Sequence, residues 1–117
     1  MEVIARVAGQ LGIEAGTYGL ASMWLSGPHT QVVVIGEGVK ANELYAAALR
    51  PSALTKAVLR IPCANWDSLP PALTEAIANL PDISARHPMA VVCSNFTCHP
   101  AVKSAAELTA LLSEVLP

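Results

Sequence analysis

The sequence predicts an α/β domain with a small three-stranded parallel sheet flanked by helices and two further helices at the N-terminus. Two apolar runs, at 31–35 and 89–93, have the pattern of buried strands because they are apolar on both faces. Strand and helix patterns alternate from residue 31 onward, which favours a parallel sheet with right-handed crossovers. We therefore expect one α/β domain over 1–117, with a helical segment at 1–27 and a βαβαβα unit at 31–117.

Composition excludes several classes of protein. The chain has 117 residues, of which 53% are hydrophobic and 14% charged, so it is long enough for one core and too apolar for intrinsic disorder. Its formal net charge of -2, without a basic run, offers no surface for nucleic acid or for an anionic membrane. No apolar run reaches the ~18 residues that a membrane span needs. The absence of a signal-peptide pattern and the odd number of cysteines predict a cytoplasmic protein.

The first elements follow from helical spacing and from glycine. Apolar residues recur at helical spacing in 3–11 and in 18–25, so two helices are expected. This helical region should end at the Gly27-Pro28 pair. The first strand then runs from Gln31 to Ile35 and ends at Gly36. A short helix over 42–50 should follow, with three apolar side chains facing inward: Leu44, Ala48 and Leu49.

Proline marks the boundaries of the middle elements. Residues 56–61 alternate and end at Pro62, which predicts a second strand nearer an edge of the sheet. Pro70 and Pro71 stand where a helix would begin, and its buried stripe would contain Leu69, Leu73, Ile77 and Leu80. We guess the strand order 2-1-3.

The last strand and helix have clear signals. Met89 to Cys93 forms the third strand, and Ser104 and Glu107 have the spacing of a capping box, in which side chains satisfy the free amides of a helix start. The helix behind it should bury its apolar side chains: Leu108, Leu111, Leu112, Val115 and Leu116.

Two loops should meet at one edge of the sheet, because both follow the carboxyl ends of strands that are predicted to be parallel. Ligands bind at this edge in parallel sheets. One loop is Gly36-Glu37-Gly38 and the other runs over 94–100. A dinucleotide site is disfavoured, since Ala41 replaces the third glycine of the phosphate-binding pattern and Glu37 would repel a pyrophosphate. The residues proposed for a redox or ligand site are Cys93, Asn95, Cys98, His99 and Glu37.

The cysteines allow more than one interpretation. The favoured one makes Cys93 a buried small hydrophobe and Cys98 a packed loop thiol. A disulfide between them and a metal site with His99 are the alternatives, but the second pair of ligands that structural zinc prefers is missing. We therefore predict no metal and no cofactor, and we assign no catalytic residue. His29 and His87, both beside prolines, are expected to be surface loop histidines, and Trp66 is expected to close an edge of the core or to contact a neighbouring domain.

The tail resembles a known family. Residues 90–102, with Cys93, Asn95, Phe96, Cys98 and Pro100, followed by the Ala106-Glu107-Leu108 helix, are similar to the C-terminal end of the thioredoxin-domain-containing family of spermatogenesis-associated and YyaL-like proteins. The resemblance implies that such a tail follows a thioredoxin-like domain and a helical barrel, neither of which is expected within these 117 residues. It also implies that 14–25 corresponds to the last helix of the barrel.

The function expected from these observations is that of a non-catalytic accessory α/β domain. High mean hydropathy, +0.46, and amphipathic N-terminal helices favour packing of those helices against a helical protein partner or a second copy of the chain. The alternatives are a thiol/disulfide redox domain or a small-ligand-binding domain that uses the loop from Cys93 to His99.

Overall fold

The computed structural model describes residues 5–62, 71 and 87–116. Apart from Pro71, the helix predicted around 69–80 lies outside the described residues, as do Cys63 and Trp66. The elements within these ranges are, in chain order, α1 (Ala8–Leu11), a 3-10 helix (Gly12–Ala15), α2 (Gly16–Ser26), β1 (Thr30–Ile35), α3 (Val39–Leu49), β2 (Lys56–Ile61), β3 (Met89–Ser94), β4 (Thr97–Cys98) and α4 (Ala105–Val115).

The four strands form a mixed sheet in the order β2-β1-β3-β4. Strand β1 is parallel to β2, with Thr30 opposite Lys56, and antiparallel to β3, with Thr30 opposite Ser94. The α/β class and the order of the first three strands are as predicted, but the prediction of a three-stranded parallel sheet is wrong. A run that is apolar on both faces marks a strand as buried without indicating its direction, and the two-residue strand β4 has too few residues for a pattern.

Helices α3 and α4 cover one face of the sheet and form the larger core with it. Leu44 and Leu108 are 1% and 0% exposed there. Leu49, which was expected to face inward, is 52% exposed because the buried stripe of α3 runs through other positions. The buried members of this cluster are Val32, Val34, Leu44, Ala47, Ala48, Ala90, Val92, Leu108 and Leu112.

The other face of the sheet carries a second buried cluster. Its members alternate with those of the first along β1 and β3, as the period of two in a strand requires. Cys93 and Ala101 pack at its margin. The cluster consists of Val33, Ile35, Ile61, Met89 and Val91.

The predicted capping box begins α4. The Ser104 hydroxyl accepts a hydrogen bond from the Glu107 amide at 3.3 Å. The Glu107 carboxylate accepts one from the Lys103 amide at 3.1 Å, one residue earlier than in the usual reciprocal pair. Two amides at the start of this helix thus have side-chain acceptors.

Gly36 sets the turn from β1 to α3. Its φ is +116°, and a Cβ atom added there would lie 2.9 Å from the Cα of Pro88. Both the conformation and the close approach require glycine at this position. This turn brings the start of α3 back over the sheet.

The N-terminal segment, defined as residues 8–26, differs from the rest of the described chain. The second predicted helix is present as α2, which ends at Ser26 as expected, whereas the first is helical over Ala8–Leu11 and forms a turn at residues 6 and 7. The 3-10 helix separates α1 from α2. None of these three helices has a buried residue. Large apolar side chains at or beside the segment are exposed: Val7, Leu11, Ile13, Leu20, Met23 and Leu25. Among the described residues, no helix has both the length and the hydropathy that a membrane span requires.

Candidate functional site

The direction of β3 separates the residues that the sequence placed in one site. Ser94 lies opposite Thr30 at the amino end of β1, whereas Met89 lies opposite Ile35 at its carboxyl end. Glu37 follows Ile35, so it stands at the far end of β1, roughly 17 Å away at about 3.3 Å per strand residue. The expectation that the two loops meet is wrong, and the small-ligand interpretation that joined them loses its shared edge.

A tight hairpin joins β3 to β4 and forms the candidate site. Its two turn residues, Asn95 and Phe96, have φ of 49° and 66°. Positive φ at both central residues is the mark of a type I′ turn, whose twist matches that of the flanking strands. Asparagine tolerates this region, whereas phenylalanine rarely occupies it, at a cost of about 1–2 kcal/mol. The Phe96 ring is also 92% exposed.

The hairpin register brings the two cysteines together. Cys93 lies directly opposite Cys98, and the His99 amide donates a hydrogen bond to the Val92 carbonyl at 2.8 Å. The cysteines therefore occupy the non-hydrogen-bonded pair between two hydrogen-bonded ones, where facing side chains come closest.

Cys93 and Cys98 form a disulfide, with their Sγ atoms 2.02 Å apart. The favoured interpretation of two separate thiols is wrong, and the disulfide alternative is confirmed. Cys98 is exposed and Cys93 half-buried. A sequence signal for the pair exists: across a two-residue turn, residues five positions apart face each other, and Asn95 is a favoured first turn residue.

Asn95 attaches the turn to the residue before β1. The main-chain amide of Asn95 donates to the His29 carbonyl at 3.1 Å, and the main-chain amide of His29 donates to Oδ1 of Asn95 at 3.3 Å. This asparagine is thus used in folding, and its side chain is directed at the main chain.

His29 also links the hairpin to the N-terminal segment. Its ring meets Phe96 edge-on, with centroids 4.8 Å apart, and lies 6.3 Å from the ring of Trp24 in α2. His29 and His87 both lie outside helices and strands as predicted, but His87 is exposed and His29 is half-buried. Sequence reasoning missed the contact of His29 with the hairpin because it depends on the direction of β3.

His99 does not join the disulfide. Its hydrogen bond to Val92 continues the β3–β4 ladder, and successive strand residues point to opposite faces. The imidazole and the Cys98 sulfur therefore lie on opposite faces of the sheet. Among the residues that the structure describes, no three His, Cys, Asp or Glu side chains lie close enough to hold a metal ion.

A cavity of about 430 Å³ lies at the other edge of the sheet, between the end of α3 and the start of β2. Among the described residues that line it, Lys56 is the charged one. The ammonium donates to the Ala48 carbonyl at 2.6 Å and to the Pro51 carbonyl, and burial lowers its pKa. These bonds satisfy carbonyls at and just beyond the C-terminal end of α3, which is a structural task for this lysine.

Comparison with known proteins does not extend this description. The chain matches no protein-family model, and neither a curated protein nor a solved structure is similar enough to count as a match.

Proposed function

We propose that the chain is a non-catalytic accessory α/β domain that packs its N-terminal helices against a helical surface, either a partner domain or a second copy. One observation carries this proposal. Every side chain in 8–26 stays at least partly exposed, and this segment of 19 residues contains five of the eleven large exposed apolar residues of the described chain.

The chemistry of the segment favours an apolar partner. Glu14 is its one charged residue. The segment therefore has few charged groups that could be hydrated or could form ion pairs with a partner. Full burial of a leucine, isoleucine or methionine side chain contributes about 1.5–3 kcal/mol. Covering residues such as Ile13 and Leu25, which are 97% and 73% exposed, would therefore stabilise a complex.

The resemblance of the tail to the thioredoxin-domain-containing family supports the same proposal. In that family the corresponding region follows a helical barrel, and residues 14–25 resemble the last helix of that barrel. A helical surface is therefore the partner that we expect for this segment.

Light scattering after size exclusion, together with binding of the hydrophobic dye ANS, tests the proposal. We expect either a dimer, or a monomer that binds ANS through its uncovered apolar helices. A monomer that binds no ANS would contradict both forms of the proposal.

Paired variants locate the effect. The double variant Ile13→Gln/Leu25→Gln should abolish the dimer or lower ANS binding several-fold. Val39→Gln/Leu54→Gln is the matched control, because these two residues are 73% and 69% exposed but belong to the α/β part. Equal effects of the two double variants would show that the apolar surface responsible is not confined to the N-terminal segment, and would contradict the proposal.

A further inference from the structure

The Cys93–Cys98 disulfide closes a small, local loop. It joins neighbouring strands across a two-residue turn, at a sequence separation of five. Other bonds hold the same hairpin: the His99 amide bonds the Val92 carbonyl, and Asn95 bonds the main chain of His29 in both directions. The strands therefore do not depend on the disulfide for their pairing, so the bond can open while the sheet remains folded.

The two sulfurs differ in access. Cys98 lies on β4, the outermost strand of the described sheet on that side, and is exposed. Cys93 is half-buried and packs at the margin of the second core cluster. Access is one of the factors that decide which sulfur of a disulfide a thiolate attacks. The incoming thiolate should therefore attack Cys98, and Cys93 should be the leaving group.

We propose that the Cys93–Cys98 pair is a thiol–disulfide exchange site that takes thiols as its substrate class. An incoming thiolate bonds to the Cys98 sulfur while the Cys93–Cys98 bond breaks, and the electron pair leaves on Cys93, which takes up the proton that the incoming thiol lost. A second thiolate then attacks the incoming sulfur and releases Cys98, which takes up the second proton. In sum, two thiols become one disulfide and the protein disulfide becomes two thiols.

The hairpin geometry also serves the reverse step. After reduction, the β3–β4 register keeps the two cysteines directly opposite each other. A disulfide of the same substrate class then reoxidises the pair through the reverse sequence of bond changes. The Phe96 ring, 92% exposed at the turn two residues before Cys98, provides an apolar surface for a thiol carried on a polypeptide.

The test uses the full chain with Cys63→Ser, so that two cysteines remain. The oxidised protein is treated with reduced glutathione, or with a synthetic peptide that carries one cysteine between leucines. It is then quenched with an alkylating reagent and weighed by mass spectrometry, while circular dichroism follows its fold. We expect two alkylated cysteines in a protein that is still folded, and loss of both adducts when oxidised glutathione is added before the quench.

Single-cysteine variants test which sulfur reacts. With oxidised glutathione, Cys63→Ser/Cys93→Ser should form its mixed disulfide at Cys98 about tenfold faster than Cys63→Ser/Cys98→Ser does at Cys93. Reaction with both probes would support exchange with small thiols, and reaction with the peptide alone would support exchange with polypeptide thiols.

Three results would overturn the proposal: no Cys93–Cys98 disulfide after treatment with oxidised glutathione, reduction that occurs only on unfolding, or equal rates for the two single-cysteine variants. None of these results bears on the packing of the N-terminal helices, which is measured by oligomeric state and ANS binding.

Discussion

The sheet together with α3 and α4, here called the α/β layer, and the N-terminal segment are both rich in apolar residues. Only the α/β layer buries them. The sheet offers a flat apolar face that α3 and α4 cover, and Leu108 and Leu112 are fully buried there. Helix α2 of the N-terminal segment has 11 residues, as many as α3 and α4, but no helix of this segment has a buried residue. Apolar content therefore does not produce a core without a facing surface, and helices this short are marginal on their own.

Leucine truncation should give the largest difference between the two regions. Leu108→Ala removes a side chain that is 0% exposed, and we expect the free energy of unfolding to fall by about 3 kcal/mol. Leu25→Ala removes one that is 73% exposed, and we expect a change within about 0.5 kcal/mol. Urea denaturation followed by circular dichroism measures both. Similar losses would mean that the N-terminal segment is part of the core.

Two glycines should respond in opposite directions. Gly36→Ala meets the Pro88 backbone at 2.9 Å and a φ of +116°, so we expect it to lower the free energy of unfolding by about 2 kcal/mol. Gly19→Ala lies inside α2 with nothing within 4 Å of the new Cβ, so we expect it to raise the helical content of the chain. The same denaturation series, with the helical signal at zero denaturant, checks both. A stable Gly36→Ala protein would show that the β1–α3 turn has another conformation.

Helix capping should contribute less. Ser104 caps α4 with its hydroxyl, whereas α2 begins after Ala15 with no side-chain cap. Ser104→Ala should lower the free energy of unfolding by about 1 kcal/mol. Ser104→Asp should leave the free energy of unfolding unchanged, because aspartate also caps a helix. Ser113→Ala, near the other end of the same helix, is the control and should be neutral. If both alanine variants were neutral, the cap would not contribute to stability.

The smallest effect concerns the hairpin, which is part of the sheet and contacts His29, the residue that lies beside Trp24 of the N-terminal segment. Phe96→Gly creates the Asn-Gly pair preferred in type I′ turns and relieves the positive φ of a phenylalanine, but it also removes the ring from His29. We expect a net gain in the free energy of unfolding below about 1 kcal/mol. Phe96→Ala loses the ring and keeps the positive φ, so it should be less stable than Phe96→Gly. The reverse order in urea denaturation would contradict the left-handed conformation.

Much of the fold can be predicted from the sequence because local signals mark its boundaries. The second strand was predicted over 56–61 and is found as Lys56–Ile61, since Pro62 ends it and its side chains alternate. The Ser104–Glu107 capping box was found in the same way. These features depend on residues near in sequence, where spacing and geometry are directly linked.

The candidate site was harder to predict because it depends on strand direction. Glu37 was grouped with Cys98 on the assumption of a parallel β3, and the antiparallel pairing of Thr30 with Ser94 puts them at opposite ends of the sheet. The disulfide was an available alternative, but assigning it requires the two-residue turn at Asn95, and phenylalanine after asparagine does not indicate such a turn. The prediction that Leu49 is buried was wrong for a simpler reason. In a helix as short as α3, the apolar pattern does not fix which of two neighbouring residues faces the core.

Hydrogen exchange followed by mass spectrometry tests the central claim that the N-terminal segment is unpacked on its own while the α/β layer is self-sufficient. The measurement is made on the dilute monomeric chain and repeated at high concentration. We predict that amides in 8–26 exchange at least about a hundredfold faster than those in β1 and β3 in the monomer, because their helices lack tertiary packing. Equal protection of the two regions in the dilute monomer would contradict the account.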